Sequence, residues 1–499
     1  MKRKGSITIF LTLTLSLMLS LICTSLESVR MAAARTQILS SLDIGLYSLF
    51  GQYDRVLLNE YDLFLLDGSG TGEGLGLSRL YDSMESYIEP VLKQNSQKLS
   101  LVQGGFTGYR LATDEDGEAF YQQVVRYMKE TLGFQGIQLL MDRMRDREQK
   151  TIEAEQNGTR AENSGSLESY ETEMNAASKN SEEAKKQQQQ QNAGHGASGK
   201  FSSGSEESPF SSSSEKKVIN PITIIRRIRK MGILDLVLPP GKGLSGKEVR
   251  KNTLLSGRTL EKGLDMAEKL PKDTSYASQI LFQQYLMEKL GNFRNPSAHG
   301  LSYEMEYVLA GKDNDIDNLK AAANKLLIIR EGINFAHLLA DPVKHGQAAG
   351  LAAVIASSFL VPPAASVIEG ALLVCWAFAE SILDVRELLD GGKVPLAKTA
   401  STWQLSLENL PNLLNRLDSC RKGVSDGMSY EDYLQVMLMT KSKIQKLKLG
   451  MDMVELGIRS GPEREAFRLD SCITAIEASV DVKANRRKVF TATRQYCYD

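Results

Sequence analysis

The stretch KRKGSITIFLTLTLSLMLSLICTSLESVR, from Lys2 to Arg30, decides how the rest of the chain is arranged. It contains no charged residue between Ile7 and Leu26, and about 20 residues is the length that an α-helix needs to cross a bilayer. A cleaved secretory signal has a shorter apolar region, roughly 7–15 residues, that ends at a small-x-small site. Ala32–Ala34 offers a weak site of that kind, so removal stays an alternative. The length of the run favours a retained membrane anchor.

The basic residues on either side of this run predict its orientation. Lys2–Lys4 precede it, whereas Arg30 and Arg35 follow it with the acidic Glu27 nearby. Basic residues beside a membrane span favour the cytoplasmic side. We therefore expect a single-pass protein in the cell membrane, with a cytoplasmic N-terminus and the bulk of the chain extracytoplasmic.

The composition argues against one class of partner. The 499 residues include 60 Lys and Arg against 61 Asp and Glu, a net charge of −1. That balance lacks the basic footprint of a nucleic-acid-binding protein, so we expect no nucleic acid partner. The 5 cysteines show no metal-ligand or redox spacing. A single Cys472–Cys497 disulfide stays open if the strands that carry these two residues pair.

Shifts in composition divide the chain into four parts. They are a cytoplasmic basic tip with the anchor at 1–30, an extracytoplasmic helical region at 31–148, a polar linker at 149–217 and a C-terminal domain at 218–499. In the second part an apolar stripe continues the anchor helix to about Gly51; it comprises Ile38, Leu42, Leu46, Leu49 and Phe50. The third part is poor in large apolar residues, so it cannot bury enough surface to offset its ordering entropy. We expect it to be disordered.

The C-terminal domain carries both helical and strand patterns. Leu301–Leu309 (LSYEMEYVL) alternates as a half-buried strand does, and a helix is predicted to begin at Asp315 or Asp317. The apolar stretch Ala348–Phe378 is interrupted by Pro362 and Pro363. Two short buried helices joined at the prolines explain it better than a membrane hairpin, which stays the alternative.

The last 30 or so residues read as a strand, a Lys-Ala-Asn turn and a second strand. The predicted fold class is therefore α+β and mainly helical. An N-terminal transmembrane helix extends into a long helix, and a helical domain follows with a small antiparallel sheet that includes a C-terminal hairpin.

No stretch carries a complete nucleotide or calcium signature. Gly241–Lys247 (GKGLSGK) fits the start of a phosphate-binding loop, but Glu248 stands where a Ser or Thr hydroxyl would bind Mg²⁺. Asp313–Asp317 (DNDID) alternates aspartates as a calcium loop does, but Asn318 and Asn324 replace the required glycine and glutamate. Helix capping explains these aspartates more simply.

Other polar groups also have ordinary structural explanations. The basic cluster Arg226–Lys230 is predicted to be the solvated face of a helix, with contact to anionic lipid as the alternative. The 4 histidines form no metal-binding or catalytic motif. Glu304 and Glu306 share one face of the predicted strand, where a catalytic pair stays open but an exposed face is the simpler explanation. The sequence thus predicts no enzyme, and no catalytic, cofactor-binding or metal-binding residue.

The N-terminal 50 or so residues resemble a known family. Its members have a basic start, Gly-Ser or Gly-Ala, one long apolar span, an acidic residue just past it and an Arg- and Ala-rich helix. The matching positions are Gly5, Ser6, Glu27, Arg30, Ala32–Ala34 and Arg35. In these features Lys4–Phe50 is similar to the TadE/TadG-like family, pilin-related membrane proteins of bacterial tight-adherence (Flp-type) pilus systems. The remainder resembles an uncharacterised bacterial domain family of unknown function.

One residue departs from the processed pilins of this kind. Processed prepilins are cut after a glycine and carry Glu at the fifth mature position, where it meets a neighbour's N-terminal amine. Counted from Ser6, that position is Phe10. The resemblance to the TadG-like branch therefore implies that Gly5 is not cut and that Ile7–Leu26 stays in membrane lipid.

The resemblance implies a structural or assembly component of a Tad-like pilus or secretion apparatus. Its partners would be membrane lipid, through Ile7–Leu26, and other pilin-like or secretion-system subunits. A second hypothesis is a membrane-tethered module that binds the cell surface or wall without catalysis and uses the linker at 149–217 for reach. A third is an extracytoplasmic hydrolase with an unrecognised site.

Overall fold

The chain folds as a mainly helical protein with one small antiparallel sheet. The structure is a computed structural model, and it describes residues 4–69, 74–94, 99–163, 165–176, 179, 220–266, 269–359, 361–417, 427–484 and 488–498. The predicted α+β, mainly helical class is confirmed.

The sheet is built from β1 (Leu66–Asp67), β2 (Ser100–Leu111), β3 (Cys472–Ala484) and β4 (Lys488–Cys497). The helices of the first half are α1 (Lys4–Phe50), α2 (Arg55–Tyr61), α3 (Leu77–Lys93), α4 (Glu118–Asn163) and α5 (166–176). Those of the second half are α6 (Pro221–Arg229), α7 (Ile233–Val237), α8 (Tyr276–Lys289), α9 (Glu304–Ala310), α10 (Asp315–Ala340), α11 (Pro342–Ser358), α12 (Ala365–Asp390), α13 (Leu413–Arg416), α14 (Tyr430–Met439) and α15 (Lys443–Arg459).

The two halves of the 47-residue helix α1 have different surroundings. Large apolar side chains in the first half are open to solvent; Ile7 is 65% exposed and Leu21 is 68% exposed. Thr12 and Thr24 donate hydrogen bonds to carbonyls one turn earlier, which satisfies their hydroxyls within the helix. From Ala34 onward one face of α1 is buried. This long, exposed apolar helix is compatible with a single-pass membrane anchor.

The sheet joins the two ends of the chain. Strand β3 lies at its centre, with β2 along one side and β1 and β4 along the other, all antiparallel. The β2–β3 ladder runs from Ser100 opposite Lys483 to Leu111 opposite Ile473. The predicted parts 31–148 and 218–499 therefore share one sheet, and the expectation of two regions separated by a linker is wrong.

The predicted linker also begins too early. Residues 149–163 belong to α4, residues 166–176 form α5, and Ala154, Ala161 and Tyr170 are buried. The contact between α4 and α10 uses small residues, because a Cβ on Gly158 or Gly332 would overlap the backbone of the facing helix. Composition does not reveal a contact of that kind. The rest of the predicted linker, 177–217, lies outside the described residues apart from residue 179.

The strand predicted at Leu301–Leu309 is also wrong, since Glu304–Ala310 form helix α9. Its residues Glu304–Val308 are all buried, so apolar and acidic positions do not separate onto two faces. Gly311 ends the helix at φ 65°, in the left-handed conformation that glycine adopts readily.

The helices on either side of the prolines agree with the sequence. Helix α10 begins at Asp315, one of the two predicted starts, although Asn314 is the residue that caps it. Helices α11 and α12 are joined by a short turn at Pro362–Ala364. By length and apolar composition Pro362–Asp390 could cross a membrane, as α1 could, but 78% of its most apolar window is buried inside the protein. The prediction of two helices joined at the prolines is confirmed, and α12 is a core helix.

The predicted C-terminal hairpin is formed by β3 and β4. In its register Cys497 lies opposite Ala475 rather than Cys472, and both cysteines are free thiols. The strands pair, but the Cys472–Cys497 disulfide does not form. Residues 485–487 at the turn lie outside the described residues.

Candidate functional site

The second half of α1 is fixed to the sheet and to α3. The predicted apolar stripe, Ile38 to Phe50, is buried in one cluster with α3 and the inner face of β3. Gly45 lets the two helices approach closely, because a Cβ there would overlap Ile88. The Tyr498 hydroxyl donates to the Phe50 carbonyl (2.7 Å), and Arg494 pairs with Asp43 (2.9 Å). The C-terminal end of the chain therefore holds the end of α1 in place.

The folded body begins close to the end of the apolar run. Ala34 is the first buried residue of α1, and it follows Arg30 within the same unbroken helix. Four residues of α-helix span about 6 Å. The orientation of the body is thus fixed to the axis of the exposed apolar segment.

The phosphate-loop-like stretch is occupied by internal contacts. It follows the short helix α7 rather than a strand. The Ser245 hydroxyl donates to Asp315 Oδ2 (2.6 Å), and Lys247 Nζ donates to the His299 carbonyl (3.0 Å). This geometry ties the stretch to the α8–α9 loop and does not form a phosphate cradle.

The aspartates of DNDID act in structure rather than in metal binding. Asp315 accepts hydrogen bonds from the Ser302 and Tyr303 amides (3.0 and 3.1 Å) and is buried. In the part of the chain that the structure describes, no group of three or more His, Cys, Asp or Glu residues could hold a metal ion.

In the basic cluster Arg226–Lys230, some side chains form ion pairs within the protein and others are exposed to solvent. Arg229 forms a bidentate pair with the buried Glu331 (2.6 and 2.8 Å) and lies 4.5 Å from the centre of the Phe378 ring. Arg226 pairs with Glu171, whereas Arg227 and Lys230 are exposed. The predicted solvated face thus accounts for only part of the cluster.

Glu304 and Glu306, placed by the sequence on an exposed strand face, instead hold the α8–α9 loop from beneath. Glu304 Oε2 accepts from the Gly291 amide (2.8 Å), and Glu306 Oε1 accepts from the Phe293 amide (2.9 Å) and the Tyr430 hydroxyl (2.7 Å). Burial raises the pKa of each carboxyl to about 7. The sequence signal that was missed is the Gly-, Asn- and Pro-rich loop directly before these acids.

A closed network of buried charges connects α10 to α12. Asp384 accepts from Arg330 (2.8 and 3.0 Å) and from Lys398 (2.7 Å), and Lys398 also donates to Glu380 (2.6 Å). Burial opposes ionisation, but Arg330 and Lys398 hold the pKa of Asp384 below its ordinary value. All four side chains are at most 1% exposed. The network lies inside the core, where its charges compensate one another, and it offers no surface to a ligand.

A cleft of about 690 Å³ opens on the surface of the helical body. Its walls are α4, α8, the first turns of α14 and the loop 290–299 that Glu304 and Glu306 hold. Within the loop, Asn292 Oδ1 accepts from the Arg294 and Asn295 amides (2.9 and 3.1 Å). We call this feature the polar cleft.

The polar cleft carries balanced charge and many amides. Its charged lining residues are Arg143, Arg147, Lys289, Glu288, Glu431 and Asp432. Arg147 pairs with Asp432 (2.6 Å), and Lys289 pairs with Asp62 outside the lining. The side-chain amides that line it are Gln284, Asn292, Asn295 and Gln435. The cleft therefore presents donors and acceptors with little net charge.

A family model described as "Family of unknown function (DUF5702)" matches residues 211–484, just over half of the chain. The matched region contains α8, the loop 290–299 and α14, but neither α1 nor α4. No curated protein and no solved structure matches the chain.

Proposed function

The chain belongs to the DUF5702 family, a family of unknown function, and from that premise we propose that it is a structural or assembly component of a Tad-like pilus or secretion apparatus. In this proposal α1 crosses the cell membrane once, its N-terminus is cytoplasmic and the folded body lies outside. No catalytic step is part of the role.

The two halves of α1 carry this proposal. One half exposes apolar side chains around its whole circumference, and the other is locked to the sheet by Ile38, Leu42 and Leu46. A helix built in this way transmits any movement of the membrane segment directly to the body. That property suits a subunit that packs laterally against similar helices, because helices in lipid associate through packing of their side chains.

The resemblance of Lys4–Phe50 to TadE/TadG-like proteins supports the choice of partners. Those proteins are pilin-related, so the partners proposed here are pilin-like or secretion-system subunits that contact α1 within the bilayer.

A cross-linking experiment tests the proposal in the native bacterium. A photoreactive amino acid replaces Leu17, in the exposed apolar half of α1, and in a matched control it replaces Phe134, which is 78% exposed on α4. We expect the Leu17 variant to capture a pilin-like or secretion-system subunit, and the Phe134 variant to capture none of these. Cross-links to lipid alone would contradict the proposal.

The chromosomal neighbourhood gives an independent test. Genes for a secretion ATPase and an inner-membrane platform protein are expected beside genes for this chain and its relatives. Their consistent absence would remove the basis for an assembly role.

The polar cleft favours a second candidate function, a membrane-anchored module that binds a surface or cell-wall ligand. This candidate function does not include a flexible linker at 149–217 that would extend the module toward its ligand. Strands β2 and β3 pair, so the residues before and after that segment lie in one folded body. Deleting 149–217 would also remove buried core residues such as Ala154 and Ala161.

A further inference from the structure

The polar cleft has a preformed wall. Two buried carboxylates, Glu304 and Glu306, hold the amides of Gly291 and Phe293, and Asn292 closes a turn within the same loop. These contacts fix the loop that forms one side of the cleft, so little conformational entropy remains to be lost when a ligand binds.

The charges of the cleft do not select an ion. Three cationic and three anionic side chains line it, and Arg147 and Asp432 already neutralise each other. A site for a phosphate or a carboxylate would concentrate unpaired arginine or lysine side chains. The balanced lining instead suits a ligand without net charge.

The side-chain amides of the cleft can form hydrogen bonds with the hydroxyl groups of a ligand. A side-chain amide offers both donors and an acceptor, as a hydroxyl group does. Gln435 lines the cleft, is 7% exposed and donates to Gln284 (2.9 Å). Among the described residues the Asn295 side chain makes no hydrogen bond, and it is exposed at the cleft.

The apolar part of the lining consists of aliphatic side chains such as Leu140, Met287 and Pro296. No Phe, Tyr or Trp is among the described lining residues, so the cleft has no aromatic platform for a nucleobase. Aliphatic side chains can make van der Waals contact with the C–H faces of sugar rings. The cavity volume of about 690 Å³ lies within the range of small-ligand sites, roughly 300–1,000 Å³.

We propose that the polar cleft binds a short neutral oligosaccharide. Asn295 and Gln435 would hydrogen-bond its hydroxyl groups, and Leu140 and Met287 would contact its ring faces. The inference does not depend on the pilus proposal, because the cleft lies on the helical body and binding is measured on the isolated protein.

The test is a calorimetric titration of the full chain in micelles of a detergent that has no sugar head group. The probes are the linear tetramers of N-acetylglucosamine and of glucose. We expect at least one tetramer to bind, and Asn295→Ala and Gln435→Ala each to weaken that binding about five- to tenfold, the effect of one lost hydrogen bond. Gln138→Ala, an exposed position on α4 outside the lining, should bind as the unmodified protein does.

Three results would overturn the inference. They are no binding of either tetramer at millimolar concentration, binding that neither cleft substitution changes, and binding of zwitterionic tetra-alanine in place of the sugars. The last result would assign the cleft to peptides. Asn295→Ala keeps the test valid if Gln435→Ala fails to fold, because the Asn295 side chain is exposed. Failure of the Leu17 cross-link would leave this result unaffected.

Discussion

At the scale of single residues, Glu306 sets a pH dependence that can be measured. Burial raises its pKa from 4.5 to about 7, so the folded protein holds a proton that the unfolded chain releases between these values. The contribution of Glu306 to stability is therefore present below pH 4.5 and is lost as the pH rises through 7. Between pH 4.5 and 7 the unfolding free energy of Glu306→Gln should fall by about 2–3 kcal/mol less than that of the unmodified protein.

Chemical denaturation at several pH values measures this effect. Glutamine keeps an oxygen that can accept from the Phe293 amide and the Tyr430 hydroxyl, so the fold at low pH should persist. Glu130→Gln, at an exposed position of α4, is the control and should keep the pH dependence of the unmodified protein. If the unfolding free energy of Glu306→Gln falls with pH as steeply as that of the unmodified protein, this carboxyl does not titrate in the window.

The buried network gives a second prediction at this scale. Asp384→Ala leaves the fully buried Arg330 guanidinium and the Lys398 amine without their shared acceptor. Removing one partner of a buried ion pair costs about 3–5 kcal/mol, because the remaining charge is uncompensated. Thermal unfolding should show this loss. Glu89→Ala, which breaks an exposed pair with Lys93, should change little, and an equal effect of both substitutions would contradict the argument.

Single residues also differ in how well their burial can be predicted from the sequence. The stripe from Ile38 to Phe50 could be predicted because its spacing alone reveals a buried helix face, and the structure confirms it. The burial of Glu304, Glu306 and Asp384 could not be predicted. Their partners, such as Tyr430 and Lys398, come from distant parts of the chain, and spacing carries no information about such contacts.

At the scale of elements, glycines decide how closely helices pack. A Cβ on Gly45 of α1 would overlap Ile88 of α3, whereas a Cβ on Gly350 of α11 would meet nothing within 4 Å. Overpacking costs about 1–3 kcal/mol, so we expect Gly45→Ala to destabilise the protein. Gly350→Ala, also inside a helix, should be neutral or slightly stabilising, because alanine favours the helical state.

Thermal unfolding of the two alanine variants checks this prediction. Equal unfolding temperatures would show that α1 can move away from α3 without loss, and that it is not held as closely as the structure indicates.

Close packing of helices through small residues also explains why the prediction of disorder for residues 149–163 is wrong. Residues 149–163 contain only one large apolar side chain, Ile152, and that composition predicted disorder. In the fold this part of α4 crosses α10 where Gly158 and Gly332 let the backbones meet beside the buried Ala154. A composition rule counts apolar area and therefore misses a helix pair that packs through small residues.

At the scale of the whole molecule, the pairing of β2 with β3 joins regions that the sequence had separated. No local pattern shows such a pairing, because it joins residues more than 360 positions apart, such as Tyr109 and Ile476. The residues before and after 149–217 therefore belong to one folded body.

Orientation is the prediction that follows for this unit. Because Lys2–Lys4 precede the apolar run, a reporter that is active only in the cytoplasm should be silent when it is fused after Asp499. The same reporter fused before Met1 is the control and should be active. Activity at the C-terminal fusion would place the whole body, including the polar cleft, inside the cell.

The last prediction concerns the start of the mature chain. Cleavage after Gly5 would remove the basic tip and free α1 to slide out of the membrane into a fibre. The new amine at Ser6 would then face Phe10, not a carboxylate, and an unpaired charge within an apolar bundle is costly. We therefore expect the native protein to keep Lys2–Lys4 and to stay in the membrane.

Intact mass of the native protein measures the outcome. A chain that begins at Ser6 would make the protein a processed pilin-like subunit. A chain that begins after Ala34 would make it a secreted one. Both cuts would leave the buried stripe from Ile38 to Phe50 in place, so the body could stay folded in either case. The mass therefore reports on the anchor alone, separately from the stability of the fold.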